Sequence, residues 1–338
     1  MLAITIGNFD GVHRGHLALV QAARAAVHAE VHAEAHAAVA RGASGGRVVA
    51  VTFEPHPAAL LRPDAIPPRL ALPAERERLL RAAGADETLT LDPRNGLLER
   101  DPVAFLDDLR ARVPFDVIVE GPDFRFGKGR TGSVETLERY ADAHGIRAIV
   151  VDPVDVPLTD QSLVRASSSM IRWLLAMGRV RDAAALLGRP YALTLTTAPG
   201  DRRGRTIGFP TLNAAPTEQL LPMDGVYGGF ARIDGGAPYP AAISIGTKPT
   251  FQRGAGSGTN GERLAVRTCE AHCIGVTLPP DLYGVELRLS CETWIRDQRA
   301  FPSLDALVER IGRDVELVRA RLASRGAPDR EHLAETHA

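Results

Sequence analysis

Four apolar, β-branched runs, each parted from the next by a stretch of helical periodicity, constrain the first half of this chain more than any other feature. The runs are LAITIG (2–7), RVVAVTF (47–53), DVIVEG (116–121) and IRAIVVD (146–152). Helical patterns at about 16–40, 73–83, 102–112 and 133–143 fill the intervals. A strand that is apolar throughout is buried on both faces, and strands joined through helices run parallel. The pattern therefore predicts an α/β unit built on a parallel sheet covered on both sides. Ligands of such sheets bind beyond the carboxyl ends of the strands.

Two more helices are expected near 168–177 and 180–187, and LGRPY (187–191) then breaks the alternation. From residue 191 the texture changes to short β-rich segments with close glycine and proline turns: YALTLTTAPG, GVYGGFARIDGG, YPAAISIG, AVRTCEAHCIGVTL and YGVELRLSCETWI. Such spacing predicts a small antiparallel β-barrel. A helix at about 303–323 closes it, and the polar residues 326–338 are expected to fray. The expected domains are 1–187, 188–325 and a frayed tail, as befits 338 residues, which are long for one core.

The bulk numbers exclude several classes. Hydrophobic content of 45% and charged content of 24% are those of an ordinary globular chain. A net charge of −1 gives no global pull towards nucleic acid or membrane, so any anion site must be built locally. No apolar stretch approaches the roughly 20 residues that span a bilayer, and no signal-peptide pattern opens the chain. The three cysteines, Cys269, Cys273 and Cys291, cannot make a disulfide framework, and reduced thiols in a cytoplasm are the simplest reading.

The stretch GNFDGVHRGH (7–16) stands where the first strand hands over to a helix. A helix start offers unpaired N–H groups and a partial positive charge, which suit phosphate. Gly11 and Gly15 would let a phosphate approach the backbone, and His13 and His16, three apart, would point to one side. Imidazoles there can neutralise charge on a departing pyrophosphate. Elsewhere, VHAEVHAEAHAAVARGASGG (27–46) sets His28, His32 and His36 on one helical face. It is either a metal patch or an exposed helical extension, and the lack of a closed ligand set favours the extension.

Three other patterns do not hold up. GKGRTG (127–132) fits G-x-G-x-x-G, but PDFRF separates it from the strand that such a fingerprint must follow directly. GPDFRFGKG is one residue too long for a Walker A loop and has Gly129 where Ser or Thr is required. Cys269, His272 and Cys273 lie on a strand whose alternation turns His272 away from both thiols, against a zinc site.

In the second half, Thr211 and Asn213 of GDRRGRTIGFPTLN (200–213) are two apart and share a face of an extended segment. A hydroxyl and an amide oxygen there are hard ligands suited to Mg²⁺ carried on ATP, although Pro210-Thr211 can also be read as no more than a strand start.

GNFDGVHRGH resembles the H-x-G-H signature of nucleotidylyltransferases, and more fully the flavin-adenylating domain of bifunctional riboflavin kinase/FAD synthetases. TFEPHP (52–57), GPDFRFGKGRTG (121–132) and SSSMIR (167–172) continue the likeness in order, with Ser169 where the family has threonine. GFPTLN resembles the riboflavin kinase G-F-P-T-A-N motif with Leu212 for alanine, and CEAHCIGVTLPPDLYG (269–284) resembles its E-x-H stretch.

The resemblance implies a nucleotidylyltransferase-type parallel-sheet domain followed by a small barrel with a terminal helix. It implies a transferase that phosphorylates riboflavin to FMN and adenylylates FMN to FAD, with ATP, riboflavin and FMN as substrates and Mg²⁺ as cofactor. By match, His13 and His16 are catalytic, and Gly7, Asn8, Phe9, Gly11, Gly15, Ser167, Ser168, Ser169 and Arg172 bind ATP phosphates. Pro55, Asp123, Phe124 and Phe126 are the implied flavin contacts. In the barrel, Glu270 is the implied base, Gly204, Arg205, Gly208 and Thr211 contact ATP, and Thr211 and Asn213 hold the metal.

Gly275 stands for the usual aspartate and Gln298 for a usual glutamate. Family members carry a further segment before the first strand; here Met1 stands almost on it, so an edge or an early flavin contact is expected to be missing. Self-association, if any, is expected to be weak. Two other readings stay open: a single-activity adenylyltransferase whose barrel only binds flavin, and a non-catalytic flavin-binding regulator. The histidine pair and Glu270 speak against the second, while the changes at 212, 275 and 298 leave room for the first.

Overall fold

A computed structural model of the chain describes residues 1–38, 46–200, 203–247 and 267–324. The chain divides into two units, one of Met1–Pro157 with Gln161–Ser168, the other of Leu158–Asp160 with the chain from Ser169 on.

In the first unit the elements run β1 (Leu2–Ile6), α1 (Arg14–Ala38), β2 (Arg47–Phe53), the single turn α2 (Ala58–Leu61) and α3 (Pro73–Ala82). They continue with β3 (Glu87–Leu91), α4 (Pro102–Arg112), β4 (Val117–Glu120), α5 (Val134–His144), β5 (Arg147–Val150), β6 (Asp155–Pro157) and β7 (Leu163–Arg165). The parallel sheet has the order β3-β2-β1-β4-β5. The chain moves outward from β1 to β3, then returns to β4 on the other side of β1. This reversal puts the topological switch point at the carboxyl ends of β1 and β4, where open α/β sheets bind ligands.

Alternation along β1 divides the core. Ile4 and Ile6 face a cluster with Val49, Val51, Ile118 and, from α4 and α5, Leu106, Leu109 and Leu137. Ala3 faces the other way, with Val48, Ala50, Val117 and Val119 against Val20, Ala23 and Val27 of α1 and Leu80 of α3. Each valine, leucine or isoleucine among these contributes about 1.5–3 kcal/mol on full burial, which is what commits both faces to helices. Asp101 caps α4, accepting from the Val103 and Ala104 amides at 3.0 and 3.1 Å, and Pro102 follows at the first helical position.

The sheet has five strands where the apolar runs mark four. The additional one is β3, ETLTL, at the sheet edge; its exposed face is polar, so it has no apolar run. β6 and β7 add a short antiparallel ribbon. In the 27–46 segment, α1 carries an exposed His28; the side chains of His32 and His36 and residues 39–45 lie outside the described residues.

In the second unit, α6 (Ser168–Ala176, entered from Ser169) and α7 (Val180–Leu187) precede the barrel. Its elements are β8 (Tyr191–Ala198), a helical turn α8 (Arg203–Thr206), β9 (Leu212–Ala214), β10 (Gly225–Ile233), β11 (Tyr239–Thr247), β12 (Arg267–Cys273) and β13 (Glu286–Arg296). The strands close in the order β10-β11-β12-β9-β8-β13. Leu193, Ile243, Ala271, Leu289 and Cys291 are fully buried within it.

The final helix α9 (Leu304–Ala323) packs Val315, Val318 and Leu322 on Phe230, Ala242, Ile274 and Ile295. Arg296 Nε donates to the buried Asp314 at 2.8 Å and pins α9 to β13. The three cysteines are free and buried, and burial lifts the Cys273 thiol to about 11 and Cys269 to about 12. Among the described residues, no helix is long and apolar enough to cross a membrane.

Candidate active sites

The GNFDGVHRGH loop leaves β1 at the switch point. Gly7 N–H still bonds to Val51 O at 2.9 Å, and the loop then turns through three left-handed residues, Phe9 (φ 47°), Gly11 (φ 81°) and Val12 (φ 41°). For Phe9 and Val12 that conformation costs about 1–2 kcal/mol each. Both side chains are wholly buried, which holds them there.

Asp10 fixes the loop from below. Its buried carboxylate accepts the amides of Leu70 (2.9 Å) and Ala71 (3.1 Å). Arg76 fixes it from the side: its guanidinium donates to the carbonyls of Asn8 and Phe53, each at 3.4 Å, and to Glu54 at 3.2 Å. Glu54 also receives a two-pronged bond from Arg69 at 2.6 and 3.0 Å. The bond from Arg69 outweighs partial burial and holds the Glu54 carboxyl below the usual range. The glutamate of TFEPHP is thus engaged by two arginines.

His13 and His16 stack face to face, with ring centroids 3.6 Å apart and planes at 20°, and the Phe9 ring meets His16 edge-on at 5.1 Å. The His13 amide donates to His16 Nδ1 at 3.3 Å. That nitrogen is therefore an acceptor, and a neutral His16 ring carries its proton on Nε2. Gly15 allows the close packing: a Cβ there would lie 3.1 Å from the His13 ring and 3.4 Å from Ala166 O. The serine-rich turn reaches the same loop, for Ser168 Oγ donates to Asp10 O at 2.8 Å. Ser167 is half-buried beside it in sequence. Ser169, which is exposed, and Arg172, which is half-buried, follow on α6 in the second unit.

The four implied flavin contacts differ in setting. Phe126 is buried in the core against Phe105, and the half-buried Phe124 ring stacks on it at 5.1 Å and 18°. Asp123 is on the surface, ion-paired with Arg165 at 2.5 Å. Pro55, half-buried, follows Glu54 through a cis peptide.

In the barrel, β9 pairs with β12 so that Asn213 lies opposite Glu270 and Leu212 opposite Ala271. Ala271 faces the interior, as do Cys269 and Cys273, while Glu270 and His272 take the other face. Thr211 Oγ1 donates to Glu270 Oε2 at 3.4 Å. A hydroxyl, an amide and a carboxylate are thereby gathered at one place, an oxygen-donor set that fits a hard divalent cation.

His272 Nδ1 lies 2.8 Å from Pro210 O; a carbonyl only accepts, so this nitrogen carries a proton, and the bond fixes the segment that bears Thr211. A cleft lined by Gly200, Gly204, Thr211, Asn213 and Tyr283 opens beside these residues. Asn213 packs over Gly200, where a Cβ would meet its amide at 2.2 Å. Arg205 bonds to the Pro280 carbonyl at the cleft, and Gly208 turns the loop at φ 84°. Gln298 donates to Ser244 Oγ at 3.3 Å, and Gly275 takes a left-handed turn (φ 80°) after β12.

Sequence reasoning missed Asp10, Arg69, Arg76 and His272 as positioning groups. Asp10 and Arg76 reach partners 60 and 68 residues away, so no local spacing reveals them.

The switch-point loop thus carries a stacked histidine pair and bonds to Ser168, and the barrel brings Thr211, Asn213 and Glu270 together. The family profile described as FAD synthetase matches residues 1–163, and that described as riboflavin kinase matches residues 187–322. A bifunctional riboflavin kinase/FMN adenylyltransferase of Escherichia coli (strain K12) is 34% identical over 314 residues, 92% of this chain and 90% of the relative. One from Bacillus subtilis (strain 168) is 28% identical over 313 residues, covering 92% and 89%. A solved structure described as a macrolide-efflux protein from Streptococcus pneumoniae superposes with a TM-score of 0.76 at 28% identity, over 94% of this chain and 93% of that one. The chain belongs to the family of bifunctional riboflavin kinase/FMN adenylyltransferases.

Proposed function

We propose that the two activities of the family divide between the two units. In the barrel, the riboflavin 5′-hydroxyl oxygen attacks the γ-phosphorus of ATP, its proton passes to Glu270, and ADP leaves. Thr211 and Asn213 would hold the Mg²⁺ that comes with ATP, which when bound neutralises phosphate charge. Gly204, Arg205 and Gly208 line the approach of the ATP phosphates. The observation that carries this reading is the bond from Thr211 Oγ1 to Glu270, which joins the metal-suited hydroxyl to the base.

In the sheet unit, a phosphate oxygen of FMN attacks the α-phosphorus of ATP and pyrophosphate leaves. The attacking group is the substrate's own, so the protein supplies position and charge stabilisation. His16, with Nε2–H as donor, and His13 serve the departing pyrophosphate. Backbone from Gly7 to Gly15 and the side chains of Ser167 and Ser168 cradle the nucleotide, and Ser169 and Arg172 keep the phosphate-binding role that their motif implies. Phe124 is the aromatic flavin contact and Phe126 its support from the core, with Pro55 and Asp123 at the rim. Free buried thiols and near-zero net charge support a cytoplasmic enzyme without nucleic-acid or membrane partners, self-associating weakly at most.

Glu270→Ala tests the assignment. FMN synthesis should fall by more than about tenfold, since general-base assistance contributes at least that. FAD formation from supplied FMN should persist. FMN synthesis within about tenfold of wild type removes Glu270 from the mechanism.

A further inference from the structure

Glu120 is the last residue of β4 and is 1% exposed. Its Oε1 accepts the Ile6 amide at 2.6 Å. Among the described residues no charged side chain bonds to it; burial acts on its carboxyl, and the Ile6 N–H acts in the opposite direction.

The location gives this bond its meaning. β1 and β4 pair only through Ala3↔Val117 and Ile4↔Ile118. On its other side β1 stays paired with β2 to Ile6↔Val51, and the Gly7 amide continues to Val51 O. Amides alternate along a strand, so the Ile6 N–H turns towards β4, where the ladder has ended. A carboxyl oxygen takes the place of the missing ladder acceptor. The next residue, Gly7, begins the loop that bears His13 and His16.

We infer that Glu120 is a positioning residue for adenylylation: by accepting the Ile6 amide it holds the end of β1 apart from β4 and fixes where the histidine loop begins. It touches no reacting atom. This rests on the assignment of adenylylation to the sheet unit, and the riboflavin kinase reaction serves as an internal reference.

The test uses the full chain as Glu120→Gln and Glu120→Val, with FAD formation from FMN and FMN formation from riboflavin measured separately. Gln offers a carbonyl oxygen of the same reach and should keep the wild-type kcat for FAD formation. Val leaves the Ile6 amide without an acceptor and should lower that kcat by tenfold to about 100-fold, as displaced catalytic groups do, with KM changed less and the kinase rate unchanged. If Glu120→Val does not fold, Glu120→Asp, whose carboxyl is one methylene short of the Ile6 amide, takes its place with the same expected loss, and wild-type kcat there overturns the inference. Wild-type kcat in the Val variant, or equal loss in Gln and Val, overturns the inference. Absence of FAD formation in the wild type would instead overturn the assignment on which it rests.

Discussion

Ser168 Oγ donates to the backbone carbonyl of Asp10 at 2.8 Å, joining residues 158 positions apart. The bond ties Ser168 to the histidine loop, and under the proposed function it aligns the loop with the nucleotide. Ser168→Ala removes the donor. It should cost about 1 kcal/mol of stability in the sheet unit, the usual net value of a neutral hydrogen bond. FAD formation should slow by about tenfold or more through lost alignment. Flavin chromatography from FMN and from riboflavin checks this, since FMN formation should not change.

His16→Ala removes the stacked partner of His13 and the proposed Nε2–H donor. FAD formation should be abolished while FMN formation stays at the wild-type rate, as measured by the two reactions assayed apart. Parallel loss of both would contradict separate sites.

Arg76 is buried, bonded to Glu54 and to the Asn8 and Phe53 carbonyls. Arg76→Met should destabilise the sheet unit by about 3 kcal/mol, the lower end for breaking a buried pair because Arg69 still serves Glu54. Urea unfolding measures it, and a change within about 0.5 kcal/mol, the scale of surface substitutions, would contradict the role. Glu54 has a lowered pKa, so its contribution is present above the ordinary carboxylate value of 4.5 and lost as pH falls through the folded value.

Glu120 runs the other way, for burial pushes its carboxyl well above 4.5. Below that value both states hold the proton; above it the unfolded chain releases it while the fold keeps it, so this contribution declines as pH rises. Glu120→Gln abolishes the titration. Its Tm relative to wild type should therefore climb as pH rises above the ordinary carboxylate value of 4.5. A constant difference across that range in thermal unfolding would contradict a neutral, buried Glu120.

The legible parts of the fold are those set by local pattern. LAITIG, RVVAVTF, DVIVEG and IRAIVVD became β1, β2, β4 and β5, and the helical intervals became α1, α3, α4 and α5. The edge strand β3 escaped because ETLTL has polar residues on its outward face, and an edge need not be apolar. His13 and His16 are singled out by their spacing at a strand-to-helix turn and Thr211 by its place two before Asn213, while Ser168 and Glu270 are marked by family resemblance; the structure bonds Ser168 to the histidine loop and Thr211 to Glu270. Asp10, Arg76 and Glu120 were not legible, because each is defined by a backbone group brought near only by folding. Glu120, an acidic residue in the apolar run DVIVEG, is buried where β1 and β4 part.

The most direct measurement is separation of the flavins formed when the full chain is incubated with riboflavin and MgATP. Wild type should yield FMN and then FAD; His16→Ala should stop at FMN; Glu270→Ala should make FAD only when FMN is supplied. No FMN from riboflavin with the wild type, or FAD from His16→Ala at the wild-type rate, would contradict two activities carried by two separate sites.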